Sequence, residues 1–318
     1  MRAIQVSEFG GPEVLRLREL DDPRPGGDDV LIQVTAAGVN YADTHQTEDS
    51  YLTATQLPIV PGTEVVGTTP DGVRVLALLD AGGYAERAVA RPELIFPIPD
   101  RVEDAQALAA GAQGATAWHI LRTSAHLRPG ESVVVHAGAG GVGSLAVQLA
   151  RRWGAGHVIA SASNEEKRAL ALELGADAAI DSRSEDLTAA IVEANDGRRA
   201  DVVLEMAGGR AFHQSLAALA PFGRLVSYGM AAREETQPVA PAALLRRSHG
   251  VIGMWLAHAA ARPREMLAPQ LAELLALVAS GELRTILGGT YALADARRAH
   301  EDLLARRTTG KLVLDMRA

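Results

Sequence analysis

No cysteine occurs anywhere in the 318 residues. That excludes disulfides, thiolate metal sites and a cysteine nucleophile together. Aromatic residues make up only 4% of the chain, so alanine, leucine and valine must fill its core. Lysine is nearly missing as well, with Lys167 and Lys311 the only two. The remaining cations are arginines, several of them paired, as at Arg151-Arg152 and Arg246-Arg247. These pairs lie scattered among acids in a chain of net charge −8, so they read as solvated helix faces. Nucleic acid is excluded as the main partner, because phosphate binding needs a net basic face. No apolar run can span a bilayer: the most apolar late stretch, 271–278, is interrupted by Glu273. The first eight residues hold no signal-peptide core, and a cytoplasmic protein with no membrane partner is the expectation.

What is present is globular in character, with 47% hydrophobic and 22% charged residues. The length exceeds one usual domain and makes two the natural prior. The first part is dense in glycine and proline punctuation, with a strand at 30–34 after the loop 22–28. It reads as an irregular β domain. Near residue 125 the style changes. Short β-branched runs at 132–136, 157–160, 178–180, 201–205, 224–228 and 251–254 alternate with helical patterns. Between the first two runs, Val142, Leu145, Ala146, Leu149, Ala150 and Trp153 fall on one helical face. Six strands with intervening helices predict an α/β fold with a doubly wound parallel sheet. After residue 258 come a helix at 269–280 and a last strand, Lys311–Asp315, placed to rejoin the first domain.

The first strand of the alternating run opens onto Gly138-Ala139-Gly140-Gly141-Val142-Gly143, the spacing G-x-G-x-x-G ahead of a helix. On this reading Gly138 permits a tight turn, Gly140 lets backbone approach a pyrophosphate, and Gly143 lets helix pack on strand. The pyrophosphate then meets free N–H groups at the positive end of the helix. A plain glycine turn is the bland reading; the motif's place at the head of a β/α run favours a dinucleotide. Which dinucleotide depends on the end of the second strand, where NAD sites carry an acid for the ribose 2′-hydroxyl. Here that stretch offers Ser161, Ser163 and Asn164, with Lys167 following and no carboxylate at the strand end. Those groups suit a 2′-phosphate, so NADPH is the expected cofactor. Glu165 and Glu166 fit the positive end of the next helix better than a catalytic role.

With these motifs in hand, the chain resembles the zinc-independent quinone oxidoreductase branch of the medium-chain dehydrogenase/reductase superfamily. The resemblance runs through Phe9-Gly10-Gly11-Pro12-Glu13-Val14-Leu15, Ala36-Ala37-Gly38-Val39-Asn40-Tyr41-Ala42-Asp43 and Pro61-Gly62-Thr63-Glu64-Val65-Val66-Gly67. Gly82-Gly83-Tyr84-Ala85-Glu86, the glycine motif and Thr309-Gly310-Lys311-Leu312-Val313-Leu314 extend it. It implies a GroES-like β-rich catalytic domain (1–122), a Rossmann domain (123–257) and a return to the catalytic domain (258–318). The superfamily's zinc ligand positions fall on Asn40, Thr63 and Ala112, which cannot form such a site, so no metal is expected. The family's active cleft maps to Asn40, Asp43, His45 and Tyr51, with Thr116 near the nicotinamide. Asn40 and Thr116 can hydrogen-bond the carboxamide or a substrate carbonyl, while Asp43 has a structural reading as a cap. Where the family carries a tyrosine after the third strand, this chain has Ser182, and Arg183 could compensate beside the ribose phosphate. The loop 46–56 is acidic where the branch is usually basic, so its pocket need not favour simple quinones.

The resemblance therefore implies hydride transfer from NADPH to a quinone or other conjugated carbonyl acceptor. Without a metal, such chemistry relies on near-attack positioning and on donors aimed at the developing oxyanion. Tyr51 or His45 could deliver the proton. A homodimer joined through the last Rossmann strand is implied as well, since an apolar, uncharged edge strand is a liability unless covered. A 2-enoyl-thioester reductase of the same fold and a non-catalytic NADPH-binding protein remain as alternatives.

Overall fold

In the computed structural model, which describes residues 1–318, the chain divides into two units. One comprises Met1–Ala115 with Ala257–Ala318, and the other Thr116–Leu256. In the first, β1 (Arg2–Gln5) and β2 (Arg16–Glu19) form an antiparallel pair. The ten-residue β3 (Val30–Val39) is the spine of a seven-stranded sheet. Its first half alternates, with Ile32 and Val34 buried around exposed Gln33; its second half, 36–39, is buried throughout. The helix α1 (Tyr41–Thr47) follows at once. Against β3 lies β4 (Glu64–Thr68), then β5 (Arg74–Leu78), while β6 (Arg87–Ala90) pairs with the start of β3 and β7 (Ile95–Pro97) with β5. The short α2 (Asp104–Leu108) runs into a wider helical turn, Ala109–Gly114, broken at Gly111 where ψ is −117°.

The second unit begins in α3 (Ala115–His119) and carries the doubly wound sheet. Its strands are β8 (Ser132–Val135), β9 (His157–Ala162), β10 (Ala178–Asp181), β11 (Ala200–Glu205), β12 (Leu219–Ser227) and β13 (Gly250–Gly253). All pairs are parallel, in the order β10-β9-β8-β11-β12-β13. Central strands of such a sheet are covered on both faces, which is why β8 is buried at every residue. The order reverses between β8 and β11, the crevice where open α/β sheets bind ligands. Between the strands run α4 (Gly141–Arg152), α5 (Glu165–Glu173), α6 (Leu187–Ala194), α7 (Gly209–Ala217) and α8 (Pro241–Arg247). Sequence periodicity places all six strands. It starts the fifth too late, at 224, and so omits Pro221 and Gly223. In the structure they belong to a bulge inside β12, with Phe222 at φ 65° and a register shift against β11.

The chain then returns to the first unit through α9 (Leu256–Ala260), α10 (Pro263–Met266) and α11 (Ala268–Ser280). Gly281 at φ 78° ends α11 in the left-handed conformation that glycine adopts without penalty. Next come β14 (Leu287–Ala292), α12 (Ala296–Leu304) and β15 (Lys311–Asp315). β15 lies antiparallel beside β3, with Leu312 opposite Val39, so the first and last thirds of the chain share one sheet and one core. No helix is long and apolar enough to cross a membrane.

Candidate functional site

The glycine turn after β8 is built for close approach. The left-handed residue is Ala137, at φ 52°, and not Gly138. Gly138 is needed for another reason: a Cβ there would lie 2.7 Å from the Ala160 methyl of β9. Its N–H donates to the Ser161 carbonyl at 3.0 Å, tying turn to strand. Ala139 is buried, and Gly140, in extended conformation, precedes α4 with no side-chain cap. The first-turn N–H groups at Gly141, Val142 and Gly143 are thus left for an anion. Any side chain on Gly143 would overlap the Ala137 carbonyl, so α4 can press against the turn only with glycine there. An uncapped helix end over a cradle that a Cβ would fill fits a pyrophosphate.

The groups expected around a 2′-phosphate divide. Ser161 is fully buried, and its hydroxyl meets His136 Nδ1 at 2.7 Å, while His136 Nε2 meets Ser215 Oγ at 2.7 Å. Burial pushes His136 down to about 4, so the imidazole is neutral and donates to one hydroxyl while accepting from the other. Ser161 is therefore an interior bracing group and is withdrawn from the phosphate set. Ser163 is half-buried and Asn164 exposed at the head of α5, where Asn164 Oδ1 accepts the Lys167 N–H at 2.9 Å. Lys167 is half-buried beside them. Arg183 forks onto Asp181 with two contacts of 3.2 Å, and its hydrogen bonds hold that carboxyl below the usual range. Arg168, absent from the sequence-based set, reaches the same Asp181 at 3.5 Å. Its signal was its place in the first turn of the helix that follows the second strand.

In the other unit, the buried end of β3 delivers Asn40 to the start of α1. The Asn40 N–H donates to Asp43 Oδ2 at 2.8 Å, and the Tyr84 hydroxyl donates to the same oxygen at 2.8 Å. Tyr84 also meets His300 Nε2 at 3.0 Å. Asp43 is 1% exposed, and burial raises it to about 6. This is the geometry of a helix cap in an interior network, so the structural reading replaces the catalytic one for Asp43. His45 is buried with Nδ1 2.8 Å from Ser50 Oγ, and its ring stacks on that of Tyr51 with centroids 5.8 Å apart. Asn40, His45 and Tyr51 thus share one helix and the loop behind it. Thr116 belongs to the other unit, half-buried in the first turn of α3.

Around Asn40 lies a cluster that the motifs did not announce. Glu64 and Lys311 are both fully buried and form an ion pair. Asn40 Nδ2 donates to Glu64 Oε1 at 2.8 Å, Lys311 Nζ donates to Asn40 Oδ1 at 3.0 Å, and the Ala112 N–H donates to Glu64 Oε2 at 2.9 Å. Glu64 and Lys311 lie within sequence motifs of the chain, but their meeting is a property of the fold.

Two family profiles match this chain: the alcohol dehydrogenase GroES-like domain over residues 26–72 and zinc-binding dehydrogenase over residues 141–276. A quinone oxidoreductase of Pseudomonas aeruginosa is 35% identical, covering 98% of this chain and 99% of its own. The chain belongs to the quinone oxidoreductase family. A solved mycobacterial protein in complex with NADPH is 36% identical with a TM-score of 0.92, over 99% of this chain and 100% of that one. The Escherichia coli quinone oxidoreductase, also solved with NADPH, gives 0.92 at 29% identity, over 99% and 100%. One profile name implies zinc, and the residues do not fit it. At the three positions that the family resemblance gives to zinc ligands stand Asn40, Thr63 and Ala112. An ammonium sits against Asn40, and no three His, Asp or Glu side chains converge elsewhere.

The raised pKa of Asp43 gives a sign to pH dependence. Its protonated form is favoured by burial, so its stabilising contribution is complete below an unfolded carboxyl's pKa of about 4 and is lost as pH rises through about 6. Burial lowers His300 to about 4, an effect common to variant and parent that cancels between them. Asp43→Asn should therefore gain on the parent by about 1.4 kcal/mol between pH 5 and pH 7.5. Denaturant unfolding at both pH values reads this directly, and a pH-independent difference would assign Asp43 an ordinary pKa.

Proposed function

We propose that this protein is an NADPH-dependent quinone oxidoreductase that reduces a quinone or other conjugated carbonyl acceptor without a metal. The observation that carries the reading is the fitted glycine cradle in a chain that resembles quinone oxidoreductases over nearly its whole length. Bound NADPH would supply the hydride. The backbone of 138–143 and the first turn of α4 hold its pyrophosphate, while Ser163, Asn164, Lys167, Arg168 and Arg183 hold its 2′-phosphate. Asn40 and Thr116 are donors for a carboxamide or acceptor oxygen. Conjugated acceptors suit such a site, because charge arriving at carbon passes to an oxygen that hydrogen bonds can hold. Tyr51 is the proposed proton donor, since a phenol hydroxyl can hydrogen-bond an oxyanion and pass it a proton. His45, stacked against it, is the other candidate.

Loss of NADPH absorbance with a panel of quinones and enoyl-thioesters tests the activity. Turnover of enoyl-thioesters alone would reassign the substrate class, and turnover of none would leave a binding protein. In the same assay Tyr51→Phe should lower turnover roughly 10²-fold with NADPH affinity unaltered. Full turnover would discard the phenol, and His45→Ala would then show whether the imidazole acts.

Cofactor choice is tested at the arginines. Arg168→Ala and Arg183→Ala should each weaken NADPH about tenfold, the scale of one screened charge-assisted contact, and leave NADH unaffected. Equal weakening of both cofactors would remove these arginines from the phosphate site.

A homodimer is part of the proposal. β13 lies at the sheet edge, and Phe222 and Leu245 in the same unit are 78% and 80% exposed. Light scattering should give twice the chain mass of 33.4 kDa; a particle of single mass at micromolar concentration overturns it.

A further inference from the structure

The carboxamide of Asn40 is held by charges of opposite sign. Its Oδ1 accepts from Lys311 Nζ at 3.0 Å and from Gln113 Nε2 at 3.4 Å, and its Nδ2 donates to Glu64 Oε1 at 2.8 Å. Flipping the amide would set N–H against ammonium and carbonyl oxygen against carboxylate. Both wrong contacts would be made beside fully buried charges, where water cannot relieve them. One of the two Nδ2 hydrogens is consumed by Glu64. The other is the single group that Asn40 has left to offer, and Asn40 itself is only half-buried.

The holder is built into the backbone. The break at Gly111 turns the Ala112 N–H onto Glu64 Oε2, and a Cβ on Gly111 would lie 2.6 Å from that oxygen. A Cβ on Gly38 would lie 2.6 Å from Lys311 Nζ. Two glycines therefore leave room for the pair, and a main-chain donor clamps its far oxygen. Buried ion pairs are weak as sources of stability, so stability alone does not account for this one.

We propose that the Lys311–Glu64 pair is a positioning device which locks Asn40 as a one-way donor, so that the site accepts a carbonyl oxygen there and refuses an N–H or O–H donor. The proposal rests on the reductase reading for its kinetic arm only. Glu64 and Lys311 act through Asn40, and Asn40 is the group that meets the ligand. A locked donor stabilises negative charge gathering on oxygen during reduction without having to reorient.

The test uses the full chain and the charge-free double variant Glu64→Gln/Lys311→Met, since Lys311→Met alone would leave an unpaired buried carboxylate. Lys311→Arg keeps the cation. The chain has only three asparagines, Asn40, Asn164 and Asn195, so asparagine-selective ¹⁵N labelling gives three side-chain amide pairs, with Asn40→Ala assigning one. In the parent, Asn40 should give one sharp pair. In the double variant it should broaden or split into two orientations, and in Lys311→Arg it should stay single. With the best acceptor of the panel, kcat and kcat/KM should fall together tenfold or more in the double variant, and Lys311→Arg should stay close to the parent. Introduced into Asn40→Ala, the double change should cost less than twofold. An unchanged Asn40 amide pair in the double variant overturns the lock, whatever the activity. So does an equal loss with and without Asn40. Absence of turnover with every acceptor of the panel overturns the reductase reading alone, and the amide signal then still decides the lock.

Discussion

An ammonium and a carboxylate, both removed from solvent, meet where the first and last strands of one sheet run side by side. Isolated burial of either charge would be prohibitive, so each must find the other and satisfy its remaining bonds. That requirement reaches far along the chain. Lys311 comes from β15, Glu64 from β4, Asn40 from the junction of β3 and α1, and the clamping N–H from the broken helix at Gly111–Ala112. The pair can form only if the chain's end returns to its beginning. The seven-stranded sheet, the kink in the helical run and the glycines at 38 and 111 all serve one buried contact.

Most of the fold was legible because it follows from local periodicity. The six parallel strands announced themselves as short β-branched runs, and the helix after β8 as an apolar face at helical spacing. Even the last strand, Lys311–Asp315, has the bounds its sequence implies. What failed was of another kind. In a parallel strand covered on both faces, alternation carries no signal, so nothing in the sequence said that Ser161 turns inward to His136 while Ser163 stays near the surface. The bulge at Phe222 breaks the spacing by which a strand is recognised. The Lys311–Glu64 contact joins residues 247 apart in sequence, which no window can see.

Burial acts in opposite senses on the titrating groups of this interior. Asp43 is raised and His300 lowered, both toward their neutral forms, with Tyr84 between them raised as well. The network Asp43–Tyr84–His300 is thus nearly uncharged at moderate acidity. The adjacent Lys311–Glu64 pair, by contrast, is an ion pair in a place equally dry. The difference lies in partners. Asp43 has one oxygen with two donors and one with none, whereas both oxygens of Glu64 are engaged and one faces an ammonium.

That contrast bears on how a fold known for zinc chemistry works without a metal ligand set. A zinc site gathers ligands around a cation and lets the cation polarise a carbonyl directly. Here the cation is the chain's own, fixed against Glu64 and pointed at the oxygen of Asn40. On the proposed reading its influence would reach a substrate through the amide, as a hydrogen bond of fixed direction. A hydrogen bond is a weaker electrophile than a metal ion, and it suits acceptors that already spread charge from carbon to oxygen. On that reading, a tethered donor in place of a metal would select the acceptor class by physics before any pocket shape is considered. Shape would then enter, on the same proposed reading, through the acidic loop beyond α1 that carries Glu48, Asp49 and Tyr51.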